Sequence, residues 1–336
     1  MNNSLILAID TSCDDTSVAV LRGKKILSSE VSSQVEIHAK WGGVVPDIAR
    51  REHKKNIPIV YETALRKAKV TIEDIDYIAC TYGPGLAIDL EIGLNFAKDL
   101  AIKNGIPFIP VNHMEGHLLS GLIGTDPDVD LPGLALLISG KHTEIVYVSE
   151  IGKYQKLGET LDDAVGEAFD KVARMLNLGY PGGPIITEFA KKGESGKVLF
   201  PIPMKNSKDL NFSYSGIKTA ALYKLRGGPD PYDFCRGFLD AIKESIRIKL
   251  EMAIEQYPEV KTVFVGGGVF NSEEMVRFIG NIARLYGLKY IYPRKEYRGD
   301  NAGMVGIAAY YKIQRKEYIT DTNKIKKVDR EPRLSL

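Results

Sequence analysis

Apolar positions along this 336-residue chain switch repeatedly between a period of two and a period near 3.6. Leu5 to Asp10 is a short apolar run ending in an acid, and Thr11 to Asp15 is a polar turn. Ser17 to Leu21 and Lys25 to Ser32 read as strands joined by the tight turn Arg22-Gly23-Lys24. The chain thus opens with a β-hairpin whose first bend carries Asp10, Asp14 and Asp15. Asp47 to Ala68 has helical periodicity despite Pro58. Tyr77 to Thr81 reads as a buried strand, and Asp89 to Asn104 as a helix stopped by Gly105. A strand over Phe108 to Val111 leads into a helix over His113 to Leu122.

Gly124 to Pro132 is acidic and proline-bearing, which predicts a loop, and beyond it the pattern begins again. Leu134 to Ser139, Thr143 to Ser149 and Tyr154 to Thr160 form three successive strands, followed by a helix over Val165 to Leu176 and a glycine-proline turn over Gly179 to Pro184. Asp233 to Gln256 is a long amphipathic helix with Phe234, Phe238, Ile242, Ile246 and Leu250 on one face. Strands at Lys261–Val265 and Leu288–Tyr292 then alternate with helices at Glu273–Tyr286 and Ala302–Gln314. Both halves follow one plan, antiparallel strands first and then helices alternating with strands. The expected fold is α/β, two similar lobes with a cleft between them. Residues 1-123 form the first lobe and 133-317 the second, whose terminal helix is free to pack back on the first. Residues 318-336 form a loose polar tail.

Composition narrows the function classes. A hydrophobic content of 44% fills sizeable cores, and a net charge of +2 is not that of a DNA-coating protein. A local RNA-facing patch remains open, with Lys40, Arg50, Arg51, Lys54 and Lys55 as its candidates. Three cysteines without a C-x-x-C pair argue against a disulfide framework and fit a reducing compartment. The first residues lack a basic leader pattern, and no apolar stretch is long enough to span a bilayer, so a soluble cytoplasmic protein is expected.

The strongest chemical signal is Asn112-His113-Met114-Glu115-Gly116-His117. Histidines four apart lie one turn from each other on one helix face, so both imidazoles can reach one ion. Asp300, in Arg298-Gly299-Asp300-Asn301-Ala302, is the best third ligand. Two histidines and a carboxylate leave positions open for substrate and suit Fe²⁺ or Zn²⁺. A zinc-protease reading is a minor alternative. Glu115 stands two residues after the first histidine instead of one, off the position of that motif's general base.

Three further segments suit phosphate or nucleotide. They are the bend Asp10 to Thr16, the turn Leu137-Ile138-Ser139-Gly140-Lys141, and Gly266-Gly267-Gly268 between a strand and a helix. Hydroxyls and backbone N–H groups in tight bends hold phosphate oxygens, carboxylates hold Mg²⁺, and glycines admit a ligand close to the backbone. Each alone is also an ordinary turn. Their order along the chain is that of actin-like ATPases and sugar kinases, where adenine nucleotides lie between two lobes.

Taken together, these segments resemble one family, the tRNA N6-threonylcarbamoyladenosine transferases (TsaD-type proteins, formerly glycoproteases), in its bacterial branch. The resemblance rests on Ile9 to Val20, Gly42 to Pro46, Tyr82 to Leu86, Asn112 to His117, Ser139-Gly140 and Asp162 to Lys171. It continues through Gly179 to Pro184, Phe212 to Thr219, Gly267 to Val269 and Asp300 to Ala302. It implies an actin/Hsp70-like (ASKHA) fold and transfer of a threonylcarbamoyl group from threonylcarbamoyl-AMP to N6 of the adenosine beside the tRNA anticodon. It further implies a divalent metal, Fe²⁺ first and Zn²⁺ second, on His113, His117 and Asp300, with Mg²⁺ accompanying nucleotide. Leu137, Ile138, Ser139, Gly140, Lys141, Asp170 and Gly183 would contact the acyl-adenylate, and Asp14 would face the reacting groups. Implied partners are tRNA, a same-fold paralogue and a small P-loop ATPase, with no membrane and no DNA.

The chain departs from the family pattern at named positions. Lys141 replaces the usual glycine after Ser139-Gly140, and Thr187 stands where an acid is usual. Ser272 takes the place of an asparagine that Asn271 precedes, and Ala87-Ile88-Asp89 replace small residues. The competing readings are a small-molecule kinase of the same fold and a non-catalytic scaffold.

Overall fold

The protein is described by a computed structural model covering residues 3–125 and 129–336, so part of the predicted 124–132 loop lies outside the described residues. The chain divides into two compact units. The first comprises Met1–Pro127 with Asp300–Leu336, and the second Asp128–Gly299.

In the first unit, β1 (Leu5–Asp10), β2 (Asp15–Arg22) and β3 (Lys25–Ser33) form an antiparallel meander. A short helix α1 (Val35–Ala39) and the long α2 (Pro46–Ala68) follow. Then come β4 (Tyr77–Gly83), α3 (Ala87–Asn104), β5 (Phe108–Asn112) and α4 (His113–Leu119). The sheet order is β3-β2-β1-β4-β5, with β1, β4 and β5 parallel. All six residues of β1 are buried, which explains the continuous apolar run in place of alternation. Parallel strands end at a common edge, so Asp10, Gly83 and Asn112 finish β1, β4 and β5 on the same side.

The second unit repeats this plan. Strands β6 (Gly133–Ile138), β7 (Thr143–Glu150) and β8 (Lys153–Glu159) form the meander. Helices α5 (Val165–Met175), α6 (Gly182–Ala190), α7 (Ser215–Leu225) and α8 (Pro231–Gln256) come next, then β9 (Thr262–Gly266), α9 (Glu273–Leu285) and β10 (Lys289–Ile291). Its order is β10-β9-β6-β7-β8, with β6, β9 and β10 parallel, which is the order of the first sheet in reverse listing. Each unit has its own apolar core, built on Leu7, Ile9, Val18 and Ile78 in the first and on Phe169, Phe234, Phe238 and Val265 in the second.

The remaining helices, α10 (Ala302–Gln314) and α11 (Thr322–Lys327), belong to the first unit. Small residues let α10 lie close to its neighbours. A Cβ on Gly306 would meet Leu21 at 2.2 Å, and one on Gly303 would meet Ile26 at 2.5 Å. The segment after Tyr318 is ordered where a loose tail was expected. Ile319 pairs with Phe108, Ile325 is buried, and Glu331 N–H donates to the Tyr82 carbonyl at 2.7 Å. Two isolated isoleucines in a polar stretch carry the anchoring, which a periodicity reading passes over.

Among the boundaries that differ from the sequence reading, two bear on the site. Strand β2 starts at Asp15, paired with Ser33, so Asp15 belongs to the sheet and not to the bend. The helix expected to reach Leu122 ends at Leu119 and tightens into a 3₁₀ turn, where Ser120 Oγ donates to the His117 carbonyl at 2.7 Å. Among the described residues no helix is long and apolar enough to cross a membrane.

Candidate metal centre and anion-binding turns

Helix α4 begins where β5 ends, and Asn112 sets the junction. Its Oδ1 accepts from Met114 N–H at 2.8 Å and Glu115 N–H at 3.3 Å, an N-cap that fixes the first turn. His113 is then the first helical residue and His117 lies one turn on. Gly116 between them admits α10, since a Cβ there would sit 3.2 Å from Met304. Asn301 caps α10 by accepting from Met304 N–H at 3.1 Å, and Ser17 Oγ accepts from Ala302 N–H at 2.7 Å. These contacts bring Asp300, just ahead of the cap, to the histidines.

Ligand atoms of His113, His117 and Asp300 lie within 4.8 Å of one another. Asp300 Oδ1 is 3.1 Å from His117 Nε2 and 3.7 Å from His113 Nε2. His117 is completely buried, and neither of its ring nitrogens makes an aligned hydrogen bond. Burial holds its pKa below the usual imidazole value, with the Asp300 carboxylate acting in the opposite sense. A dry, neutral imidazole with unmatched nitrogens beside a carboxylate is the donor set expected of a metal ligand group. The residues present therefore fit a divalent ion. Glu115 faces elsewhere, with Arg315 at 3.3 Å and Lys312 at 3.9 Å, as its off-motif position predicts.

Sequence reasoning missed the support behind His113. Ser12 Oγ stands 3.1 Å from His113 Nδ1 and donates to Asp10 Oδ2 at 3.2 Å, and both residues are buried. With the serine proton given to Asp10, His113 donates from Nδ1, which leaves the Nε2 lone pair toward Asp300. The signal was present in Asp10-Thr11-Ser12, but the partner is 101 residues away.

The rest of the bend is held by buried polar side chains. His53 Nε2 donates to the Cys13 carbonyl at 2.7 Å, and Thr16 Oγ1 donates to His53 Nδ1 at 2.8 Å. Gln34 N–H donates to the Asp14 carbonyl at 3.0 Å. Asp14 is half-buried, and its carboxylate has no hydrogen-bond partner among the described residues. Burial raises the Asp15 carboxyl to about 7, with Ser33 hydrogen bonding opposing the shift and the neighbouring acids adding to it.

In the second unit several predicted residues converge. A Cβ on Gly166 of α5 would strike the Ser139 carbonyl at 2.6 Å, and one on Gly267 would strike the Ile138 carbonyl at 2.3 Å. The Leu137–Lys141 turn is thus wedged between the α5 start and the β9 end, both of which require glycine. Asp170, one turn along α5 from Gly166, accepts from Gly182 N–H at 2.7 Å and fixes the turn that carries Gly183. Open space lies where a Cβ would be on Gly140, Gly183 and Gly268. Ser139 Oγ accepts from His142 N–H at 3.2 Å, and Lys141 is exposed with an ordinary backbone conformation, so the turn accommodates it without glycine.

Other predicted residues have structural partners. Thr187 Oγ1 donates to the Gly183 and Pro184 carbonyls at 3.0 and 2.9 Å, so its hydroxyl serves its own helix. Ser272 caps α9 by accepting from Met275 N–H at 3.5 Å, while Asn271 is exposed beside Gly299. Leu137 and Ile138 are fully buried strand residues, so any ligand contact from them is through backbone.

Comparison with known proteins gives a consistent picture. A family model described as TsaD: tRNA N6-adenosine threonylcarbamoyltransferase matches residues 25–307. A protein of that name from Thermosipho africanus is 43% identical over 322 residues, covering 95% of this chain and 97% of its own. Another of that name, from Fusobacterium nucleatum, is 44% identical over 318 residues, covering 92% of each chain. Among solved structures, HypF of T. kodakarensis is similar with TM-score 0.65 and 15% identity, over 94% of this chain and 48% of its own. Component A of the Acidaminococcus fermentans (R)-2-hydroxyglutaryl-CoA dehydratase gives TM-score 0.54 and 16% identity, over 96% of this chain and all of its own. The fold is of the actin/Hsp70-like type.

Proposed function

The chain belongs to the tRNA N6-adenosine threonylcarbamoyltransferase family, and from that premise we propose that it is the acyltransferase acting on the adenosine beside the tRNA anticodon. The donor is threonylcarbamoyl-AMP. The observation that carries this reading is the His113–His117–Asp300 group, in which both histidines are buried and the His117 ring nitrogens make no aligned hydrogen bond among the described residues, in a chain of this family.

In the reaction the adenine N6 attacks the carbamoyl carbon. A new C–N bond forms, the bond to the phosphate oxygen of AMP breaks, and N6 gives up a proton. The mixed anhydride is already activated, whereas an exocyclic amine is a weak nucleophile, so alignment and proton removal are the protein's tasks. Asp14, half-buried and with no hydrogen-bond partner for its carboxylate among the described residues, is proposed to accept the N6 proton. The Gly140 N–H, at the open tip of the Ser139–Lys141 turn, is proposed to help hold the donor's phosphate, and Gly183 to admit its adenosine. Asp170 keeps the Gly182–Gly183 turn in place for that purpose. A divalent ion, Fe²⁺ in the first instance and Zn²⁺ in the second, would be held by His113, His117 and Asp300 and supplies Lewis acidity when bound. Ser12 and Asp10 keep His113 in the tautomer that can ligate it.

Lys141, Thr187, Asn271 and Ser272 are assigned to the edge of the donor site. A same-fold paralogue and a small P-loop ATPase are the proposed partners, and the cytoplasm the proposed location. The test is reconstitution with threonine, bicarbonate, ATP, tRNA and those partners, reading modified adenosine by mass spectrometry. The modified nucleoside is expected. None, with a related transferase active in parallel, would overturn the proposal.

A further inference from the structure

The chain's single tryptophan is exposed where a buried side chain is the norm. Trp41 keeps 65% of its surface in solvent. It is not on a loose loop. Trp41 N–H and Gly43 N–H both donate to the His38 carbonyl, at 2.9 and 3.4 Å. His38 is itself fully buried. It accepts from Val45 N–H at Nδ1 (3.3 Å) and faces Gln34 Oε1 from Nε2 (3.0 Å). Gln34 in turn donates to the Ala49 carbonyl at 3.4 Å and, through its N–H, to the Asp14 carbonyl. His53 ties α2 to the same bend. Two buried imidazoles and a buried amide therefore fix the Trp41 loop to the segment that carries Asp14.

The sequence on either side of it is cationic and exposed. Lys40, Arg50, Arg51, Lys54 and Lys55 are all exposed, and residues 35–55 contain only three acids, Glu36, Asp47 and Glu52. Arg50 and Lys54 lie one turn apart on α2, with no ion-pair partner among the described residues. A fixed, exposed indole with cations such as Arg50 and Lys54, which have no ion-pair partner among the described residues, suits single-stranded nucleic acid, with stacking on the ring and phosphates on the charges.

Resting on the transferase reading, we propose that Trp41 is a stacking platform for a base of the tRNA anticodon loop, with Lys40, Arg50 and Lys54 holding the adjoining phosphates. Trp41 is a positioning residue. It orders the loop that presents the acceptor adenosine, and it touches neither the donor nor the metal group.

The sole tryptophan makes the test direct. The full chain is titrated with a synthetic anticodon stem-loop RNA while intrinsic fluorescence is read, and binding is followed independently by anisotropy of a labelled RNA. Quenching that tracks binding is expected. Trp41→Ala should weaken binding roughly 5- to 100-fold, and Trp41→Phe should restore most of it. Arg50→Gln with Lys54→Gln should flatten the salt dependence. Metal content of Trp41→Ala should equal that of the native protein, which checks folding. Unchanged fluorescence at saturating RNA, no RNA binding by the native chain, or native affinity in Trp41→Ala would overturn the proposal. Quenching by a partner protein and not by RNA would overturn it in favour of protein docking. If the transferase reading alone is wrong, quenching persists without any modified adenosine. If only the stacking proposal is wrong, Trp41→Ala transfers with native KM for tRNA.

Discussion

Ser12→Ala isolates the support behind His113. In the native chain the His113 Nδ1 proton meets Ser12 Oγ at 3.1 Å, and Ser12 passes its own proton to Asp10 Oδ2 at 3.2 Å. Without the hydroxyl, Asp10 Oδ1 stands 3.7 Å from Nδ1, outside hydrogen-bonding range. The imidazole, only 5% exposed, must then leave a buried donor unmet, at about 1–3 kcal/mol, or move its proton to Nε2 and lose the lone pair that ligates. That cost corresponds to a drop in metal affinity of roughly 10- to 100-fold, the range measured when the second layer of a metal site is removed. Competition against a chromophoric chelator measures it, with far-UV circular dichroism confirming the fold. Asp10→Asn should fall in the same direction. Affinity within twofold of native in both variants would refute the hydrogen-bonded relay.

Asp15→Asn should alter stability in a pH-dependent way in the metal-free protein. The Asp15 carboxyl titrates near 7 in the fold against 3.8 ordinarily, so the folded state holds its proton longer. Stability present below about pH 4 is therefore lost as pH rises to about 7, with a ceiling of about 4 kcal/mol, and the variant should lack that slope in urea titrations. Gly267→Ala demands both a φ of +101° and a Cβ 2.3 Å from the Ile138 carbonyl. It should cost about 3 kcal/mol or more and abolish donor binding in calorimetry, whereas native donor affinity would contradict the packing of that turn. Glu115→Gln breaks pairs with Arg315 and Lys312. It should lower stability by about 1–3 kcal/mol while metal content stays native. Loss of the metal would make Glu115 part of the centre.

Much of this was legible because β1, β5, β6 and β9 are short apolar runs stopped by polar or glycine residues, and because α4 announces itself with Asn112 and histidines at one-turn spacing. The pairing of His113 with Ser12 was not. It depends on the order β3-β2-β1-β4-β5, which sets the ends of β1 and β5 on either side of β4, and no local period encodes a sheet order. Nor were Gly166 and Gly267 distinguishable from ordinary turn glycines until the carbonyls of Ser139 and Ile138 occupied their Cβ positions. The tail misled because Ile319 and Ile325 each anchor alone, one through a bridge to Phe108, and single apolar residues make no pattern. Thr187 and Ser272 use their hydroxyls at helix ends as well as standing at proposed ligand positions, two roles that sequence alone does not separate.

His113, His117 and Asp300 are proposed to bind one ion together. Elemental analysis of the native chain and of His113→Ala, His117→Ala and Asp300→Ala, each loaded anaerobically with Fe²⁺ or Zn²⁺ and dialysed, tests it most directly. About one metal per native chain, and almost none in each folded variant, is the expected result. Native metal content in the variants, or a native chain that retains neither ion, would show that these three side chains do not form a metal site.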